Sequence, residues 1–420
     1  MNRTLFAWEL GDNFGHVTRD LPIALALRKM GHEVMFCVKD VSAAQQVLAK
    51  EGFRFVQAPQ IPRSAPSVRS PASYSEILIT SGYSSTSLLA GLVNGWLTIF
   101  GLFEPDVVVI NHAPTALLAA KVANIPTVLT CTGFELPPAA EVLPSIVPWE
   151  HVPESRLARA DQAVSNLMND ILRLHGKPLL TRASDLFANA KCLMTTFPEL
   201  DHYGNRPQQH YVGPVAAMPK ARTIGWPDVN GKRIFAYLHP SIPGLEYLLA
   251  TLKGGATNVL CVIPGISTAI ADAFRGRSLA ILNQPVSLQA LLPTADLVIA
   301  SGAGLVSEAL LAGVPLLMTP QFVEQALLAR RVEAFGAGVH WAPQRTAESA
   351  RAIVEKALST ESLRVRAQCF ASKYQSYSME KAVAEIASAI LTAAMSPHHG
   401  HSSGGPRPRS TLKRSTFAGE

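Results

Sequence analysis

Ala300 to Gln325 reads ASGAGLVSEALLAGVPLLMTPQFVEQ. It continues an apolar strand, Asp296 to Ile299, into a small glycine-rich turn at Ser301, Gly302, Ala303 and Gly304. A helix carrying Glu308 follows and stops at Gly313. A second apolar strand, Val314 to Met318, ends before Pro320 and leads to Glu324 and Gln325. A strand that passes through a tight turn into a helix offers unpaired backbone N–H groups and the positive end of a helix dipole, which suits a phosphate. A carboxylate one turn into that helix suits the hydroxyls of a ribose, and the acid–amide pair after the next strand suits those of a sugar. Each feature also has an ordinary reading. The glycines fit a packed strand–helix turn, Glu308 a solvated helix position, and Glu324/Gln325 a first-turn pair facing a dipole. Their order and spacing within one segment favour the nucleotide-sugar reading.

Outward from this segment the chain keeps one rhythm. Leu5 to Leu10 reads as a strand, Gly11 to His16 as a loop, and Val17 to Met30 as a helix with Leu21, Ala24, Leu25 and Leu27 on one face. Further strands are predicted at Glu33 to Val38, Phe53 to Gln57, Asp106 to Ile110, Thr127 to Cys131, Cys192 to Thr196 and Gln209 to Val212. Pro59 to Tyr83, rich in Pro and Ser, reads as a loop over the ligand crevice. After the proline-bearing segment that follows Gly213, the rhythm restarts with Ile234 to Leu238, Val259 to Ile263, Leu279 to Leu282 and the two strands above. Strands alternating with helices specify doubly wound parallel sheets. The predicted organisation is an α/β N-terminal domain over 1–213, a linker over 214–231 and a second α/β domain over 232–377. A closing helix at 378–395 packs back on the first domain, and a low-complexity tail at 396–420 is expected to be disordered.

Composition narrows the function classes. The chain has 420 residues, of which 48% are hydrophobic, so it can bury large cores. Half of its formal charge of +6 sits in the tail, where Arg407, Arg409, Lys413 and Arg414 face a single acid, Glu420. The remaining field is weak, without the basic and aromatic interleaving of a nucleic-acid groove. Five dispersed cysteines (Cys37, Cys131, Cys192, Cys261, Cys369) form no disulfide framework and no zinc spacing. With no long apolar segment in the first residues, a cytoplasmic protein is expected. Ile77 to Phe103 carries no charge. It reads as a buried helix pair beside an apolar pocket, and it leaves a peripheral membrane contact among the partner readings.

Two polar loops follow strands of the first domain. His16, behind Gly15 at the foot of the first helix, reads either as a general base for a hydroxyl or as a helix-end group that donates to an anion. The loop after Asp106 to Ile110 supplies Asn111 and His112, and sheet topology brings it beside His16. An Asp at 111 would orient and charge-stabilise the imidazole, whereas Asn111 can only orient it. In serine hydrolases the comparable change costs about 10⁴ in rate.

GHVTRDLPIALALRKMGHEV at Gly15 to Val34, with SEALLAGVPLLMTPQFVEQ and the following ALLARRVEAFGAG, resembles the family-one glycosyltransferases of GT-B fold. The likeness is greatest to their bacterial macrolide and flavonoid glycosyltransferase-like branch and extends from Leu5 to about Ala394. It implies two Rossmann-like domains across a cleft. The second would hold a nucleotide-diphosphate sugar, UDP- or dTDP-linked, as co-substrate; the first would hold an acceptor, here an apolar small molecule or lipid. Transfer would invert the anomeric centre, with no metal and no permanently bound cofactor. By resemblance His16 is the base, Glu308 holds the ribose, and Glu324 and Gln325 hold the sugar. The family's diphosphate-contacting histidine is replaced by Ala300, a Thr or Ser by Leu305, and the Asp partner of the base by Asn111. The backbone from Gly302 to Leu305, with the Ser301 hydroxyl or His239, would then carry the diphosphate. Each lost hydrogen bond to a charged group is worth about 1.5–3 kcal/mol. These departures leave a second reading, a catalytically impaired nucleotide-sugar-binding homologue acting as a partner or sensor.

Overall fold

The computed structural model describes residues 1–11, 14–62, 68–217, 222–227, 229–342 and 345–395. The tail at 396–420 lies outside them, as do parts of the loop before His16, of the Pro/Ser-rich segment and of the linker. Twelve strands make two six-stranded sheets. The first contains β1 (Arg3–Trp8), β2 (Glu33–Val38), β3 (Arg54–Gln57), β4 (Val107–Asn111), β5 (Thr127–Cys131) and β6 (Lys191–Met194). The second contains β7 (Lys232–Tyr237), β8 (Thr257–Val262), β9 (Leu279–Leu282), β10 (Leu297–Ala300), β11 (Leu316–Met318) and β12 (Gly338–His340). Their orders are β3-β2-β1-β4-β5-β6 and β12-β11-β10-β7-β8-β9, and all the pairings are parallel. Both are the doubly wound arrangement, in which strand order reverses between the first and fourth strands and opens a crevice at their carboxyl ends.

Central strands such as Val107–Asn111 and Thr257–Val262 are buried along their whole length, because helices cover both faces of each sheet. The predicted strands match to within a residue or two, with two differences. Gln209 to Val212 forms no strand; only Tyr211 bridges to Met194. Conversely, Gly338–His340 adds an edge strand. Its Gly338 is required by the fit, since a Cβ there would lie 2.6 Å from the Leu316 carbonyl oxygen.

The Pro/Ser-rich segment is not loop throughout. Ser73 accepts from the Glu76 N–H and starts the helix Tyr74–Thr80. Ser85 does the same for the helix Thr86–Phe103, whose Leu89, Leu92, Val93, Trp96, Phe100 and Phe103 recur at helical spacing and enter the core. By length and composition that helix would span a bilayer. Here one face is packed in the first lobe, while Ser87, Gly91, Asn94, Thr98 and Gly101 face outward. All five cysteines are free, and Cys37, Cys131 and Cys261 are buried among apolar side chains.

The chain ends by crossing back. Tyr374 packs on Phe197 at 4.1 Å between ring centroids, and its hydroxyl donates to Glu199 at 2.8 Å. The Tyr377 hydroxyl donates to the Pro214 carbonyl, and its ring occupies the space a side chain at Gly213 would need. The helix Met379–Met395 then buries Ala382, Ile386, Ala387 and Ile390 against Phe6, Ile23, Leu27 and Val128 of the first lobe. This helix completes a core begun by the first strand. Ile386→Ala is therefore expected to destabilise the protein by about 2–5 kcal/mol, read as a lowered denaturant midpoint. A midpoint within error of the wild type would show that the helix is not part of that core.

Candidate active site

The first lobe's crevice opens where β1 and β4 lie side by side, with Trp8 opposite Asn111. Glu9 binds the two ends together: its carboxylate accepts from the Thr115 and Ala116 N–H groups, both at 2.8 Å, at the start of the helix Pro114–Ala123. Trp8 stacks on His16 with centroids 5.2 Å apart. His16 Nδ1 lies 2.7 Å from Asn111 Oδ1. Gly11 has φ +81°, and a Cβ added there would come within 2.3 Å of His16 Nε2. The structure thus brings His16 and Asn111 together.

Two residues not expected from the sequence complete this side. Arg19, on the same helix as His16, donates to Asn111 Oδ1 and pairs with Glu135 at 3.1 Å, the two side chains only 5% and 7% exposed. Glu135 in turn accepts from the N–H and hydroxyl of Thr132. Burial alone would raise the Glu135 carboxyl, but the charges of Arg19, His112 and His16 hold it well below the usual carboxylate range. Burial and then the Arg19 charge lower His16 to about 4, against smaller raising effects from Glu135, Asn111 and Glu324. Asp20, buried beside Asn111, is raised to about 7 by burial. His112 takes φ +48°, and its ring is buried 6.0 Å from that of His16. With Tyr74, Cys131, Glu135 and Phe187 it lines a cavity of about 10 Å³, the room of one water.

In the second lobe the corresponding crevice lies between β7 and β10. Gly302 caps the helix Ala303–Leu311 with extended backbone and no side-chain bond, which leaves the first-turn N–H groups at Ala303, Gly304 and Leu305 without a capping side chain. Ala300 is packed in the core and offers nothing to a ligand. The Ser301 hydroxyl is already engaged with the Thr319 carbonyl (2.8 Å) and hydroxyl (2.9 Å). His239 follows β7 beside this turn. Its Nδ1 faces Ser241, with the hydroxyl at 2.7 Å and the N–H at 3.2 Å, so Nε2 is the ring nitrogen left without a partner among the described residues. Glu308 is half-buried and its carboxyl group has no hydrogen-bond partner among the described residues; burial raises it to about 7.

Glu324 and Gln325 begin the helix Val323–Phe335. Gln325 accepts from the Gln321 N–H at 3.0 Å and keeps its NH₂ group for other partners. Glu324 reaches across to the first lobe, where it lies 3.4 Å from Nε2 of the buried His202. The His202 Nδ1–H donates to the Thr132 carbonyl at 3.2 Å. Burial opposes the His202 charge, but Glu324, Glu135 and Asp201 outweigh it and raise the group above its ordinary value. The His202 ring thus faces the Glu324 side chain across the cleft, with the His16 network behind it.

Two parallel-sheet lobes, each with its crevice at the switch point and joined by a returning C-terminal helix, define the GT-B architecture. Residues 280–390 match the family model described as erythromycin biosynthesis protein CIII-like, C-terminal domain. The chain is similar over most of its length to solved glycosyltransferases. CalG4, the calicheamicin glycosyltransferase, is 20% identical with a TM-score of 0.69, covering 94% of this chain and 99% of that one. VinC in complex with dTDP is 16% identical with a TM-score of 0.64, covering 93% and 99%. The spinosyn rhamnosyltransferase SpnG complexed with spinosyn aglycone is 18% identical with a TM-score of 0.64, covering 92% and 99%. No curated protein matches the sequence. The fold read from the sequence is borne out, and so is the resemblance to family-one glycosyltransferases of GT-B fold.

The contact between Gly11 and His16 generates a prediction. Gly11→Ala adds a Cβ where Nε2 now sits and sets it on a left-handed backbone, so the ring must turn away from Asn111. Displacing a reacting group by about 1 Å costs on the order of 10² in rate. The variant is expected to lose that much kcat while remaining folded by circular dichroism. Wild-type kcat would show that His16 does not act from this position.

Proposed function

We propose that this protein is a cytoplasmic glycosyltransferase that moves a sugar from a nucleotide-diphosphate sugar, most simply a dTDP- or UDP-sugar, to a hydroxyl of an apolar small molecule. The observation that carries the reading is the cross-cleft approach of Glu324 to His202, which sets the sugar-facing end of the second lobe against the loop network of His16. His16 Nε2 takes the acceptor's hydroxyl proton as the acceptor oxygen bonds to the anomeric carbon. The bond from that carbon to the phosphate oxygen breaks on the opposite face, so the centre inverts. The departing diphosphate keeps the electron pair and is stabilised by the open N–H groups from Ala303 to Leu305 and by the helix dipole. No metal is assigned a role.

Glu308, a half-buried acceptor with no internal partner, suits the ribose hydroxyls. Glu324 and Gln325 suit the sugar. His239 Nε2–H replaces the side-chain donor missing at Ala300, and in VinC the corresponding fold is seen with dTDP. The buried Tyr74, Phe134 and Phe187 around the first crevice support an apolar acceptor, in keeping with the aglycone bound by SpnG.

Purified protein given dTDP- and UDP-sugars with hydroxylated apolar acceptors is expected to yield glycoside by mass spectrometry, and His16→Ala to abolish it. Donor binding without turnover would contradict the assignment. Because the charged form of His16 is disfavoured, the base stays free well below its ordinary range. The acid limb of kcat/KM should accordingly lie near pH 4 rather than 6.5, and a limb at 6.5 would exclude His16 as the titrating base. His239→Ala should raise the donor KM by about tenfold or more, the loss of one hydrogen bond to a charged group, with little change in acceptor KM. An unchanged donor KM would place the diphosphate elsewhere.

A further inference from the structure

Transfer through His16 requires its Nε2 lone pair to be free, which means that Nδ1 must carry the hydrogen. Asn111 alone does not ensure this, because a primary amide can present either its oxygen or its nitrogen. The surroundings of the amide remove the choice. Asn111 Nδ2 has two hydrogens, and both are spent: one on the His16 carbonyl at 3.1 Å and one on Asp20 Oδ2 at 2.8 Å. A reversed amide would press its oxygen against two acceptors at a fully buried position. Oδ1 is therefore held toward His16 Nδ1, and its two lone pairs are taken by the imidazole N–H and by Arg19 Nη2. Oδ1 thereby favours the tautomer with hydrogen on Nδ1, against Arg19 Nη2, which lies 3.4 Å from the same nitrogen and would need its lone pair.

Of the two acceptors, the His16 carbonyl belongs to the backbone, whereas Asp20 is a side chain whose ionised form is opposed by burial and favoured by the Arg19 charge and by Asn111. It lies one residue after Arg19 on the buried face of the helix Gly15–Lys29, and its Oδ1 has no hydrogen-bond partner among the described residues. A buried carboxylate with a bare oxygen is a cost to folding that an apolar residue would spare. We propose that Asp20 is a positioning residue for the base. The carboxylate that the family pattern puts directly on the histidine stands here one hydrogen bond further out and acts through Asn111. This rests on His16 being the base of the proposed transfer.

The experiment reads the tautomer and the rate separately. In ¹⁵N-histidine-labelled protein, with His16 assigned by its loss in His16→Gln, the wild type should show the Nδ1–H form. Asp20→Ala should mix the tautomers and lower kcat about 10- to 100-fold, as removal of a partner that orients a histidine does elsewhere. Asp20→Asn, which keeps an acceptor oxygen for Asn111, should restore most of that rate. In an Asn111→Ala background Asp20→Ala should cost less than about twofold, since the path it acts through is gone. If Asp20→Ala does not fold, Asp20→Leu fills the same volume without an acceptor and takes its place. An unchanged His16 signal in Asp20→Ala or Asp20→Leu, or effects of Asp20→Ala and Asn111→Ala that multiply, would overturn the assignment. The tautomer readout needs no substrate, so a wild type that transfers no sugar would overturn the transferase reading alone.

Discussion

A guanidinium inside a protein must be matched, and the buried Arg19 sets the terms for the first lobe. Its charge calls Glu135 into the interior, and breaking such a pair by removing one partner costs about 3–5 kcal/mol. Glu135 in turn fixes the loop after β5 through Thr132, whose carbonyl holds His202, which faces Glu324 of the other lobe. The same guanidinium fills one lone pair of Asn111 and thereby helps to orient His16. One buried cation thus links the base, the loop behind it and the contact across the cleft.

The arrangement also has an electrostatic consequence for the base. Burial, and after it the neighbouring guanidinium, makes this imidazole resist protonation, and Glu135, Asn111 and Glu324 only partly offset this. In the proposed transfer His16 is accordingly a weak base that stays unprotonated near neutral pH, with Asn111 supplying orientation rather than charge. A base of this kind gives up some driving force for proton transfer and depends more on alignment and on stabilisation of the leaving diphosphate. In the proposed transfer the second lobe supplies the latter through the helix end at Gly302, which no side chain caps, and through His239 on the loop after β7.

Much of this was legible in the sequence, for identifiable reasons. The strands are apolar runs separated by helical periodicity, so their order and extent could be read directly. His16 and Asn111 follow strands that become neighbours, which explains why they could be paired without coordinates. Gly338–His340 escaped notice because three residues carry no period, and Gln209 to Val212 looked like a strand because Tyr211 and Val212, both strand formers, precede a Gly-Pro stop. Nothing local to Arg19 and Asp20 shows that their side of the helix turns inward. Glu135 and His202 lie on loops whose approach depends on the whole fold. The Ser301 hydroxyl looked free for a phosphate, but it bonds across to Thr319, a contact between the ends of β10 and β11 that only their pairing in the sheet reveals.

The central claim is that the turn from Gly302 to Leu305 and the carboxylate of Glu308 form a nucleotide-diphosphate site. Calorimetric titration of dTDP and of UDP into the wild type and Glu308→Ala tests it most directly. The account predicts one site per chain for at least one of the two nucleotides, weakened about tenfold or more when the ribose acceptor is removed. Saturable binding that Glu308→Ala leaves unchanged, or no binding of either nucleotide, would contradict it.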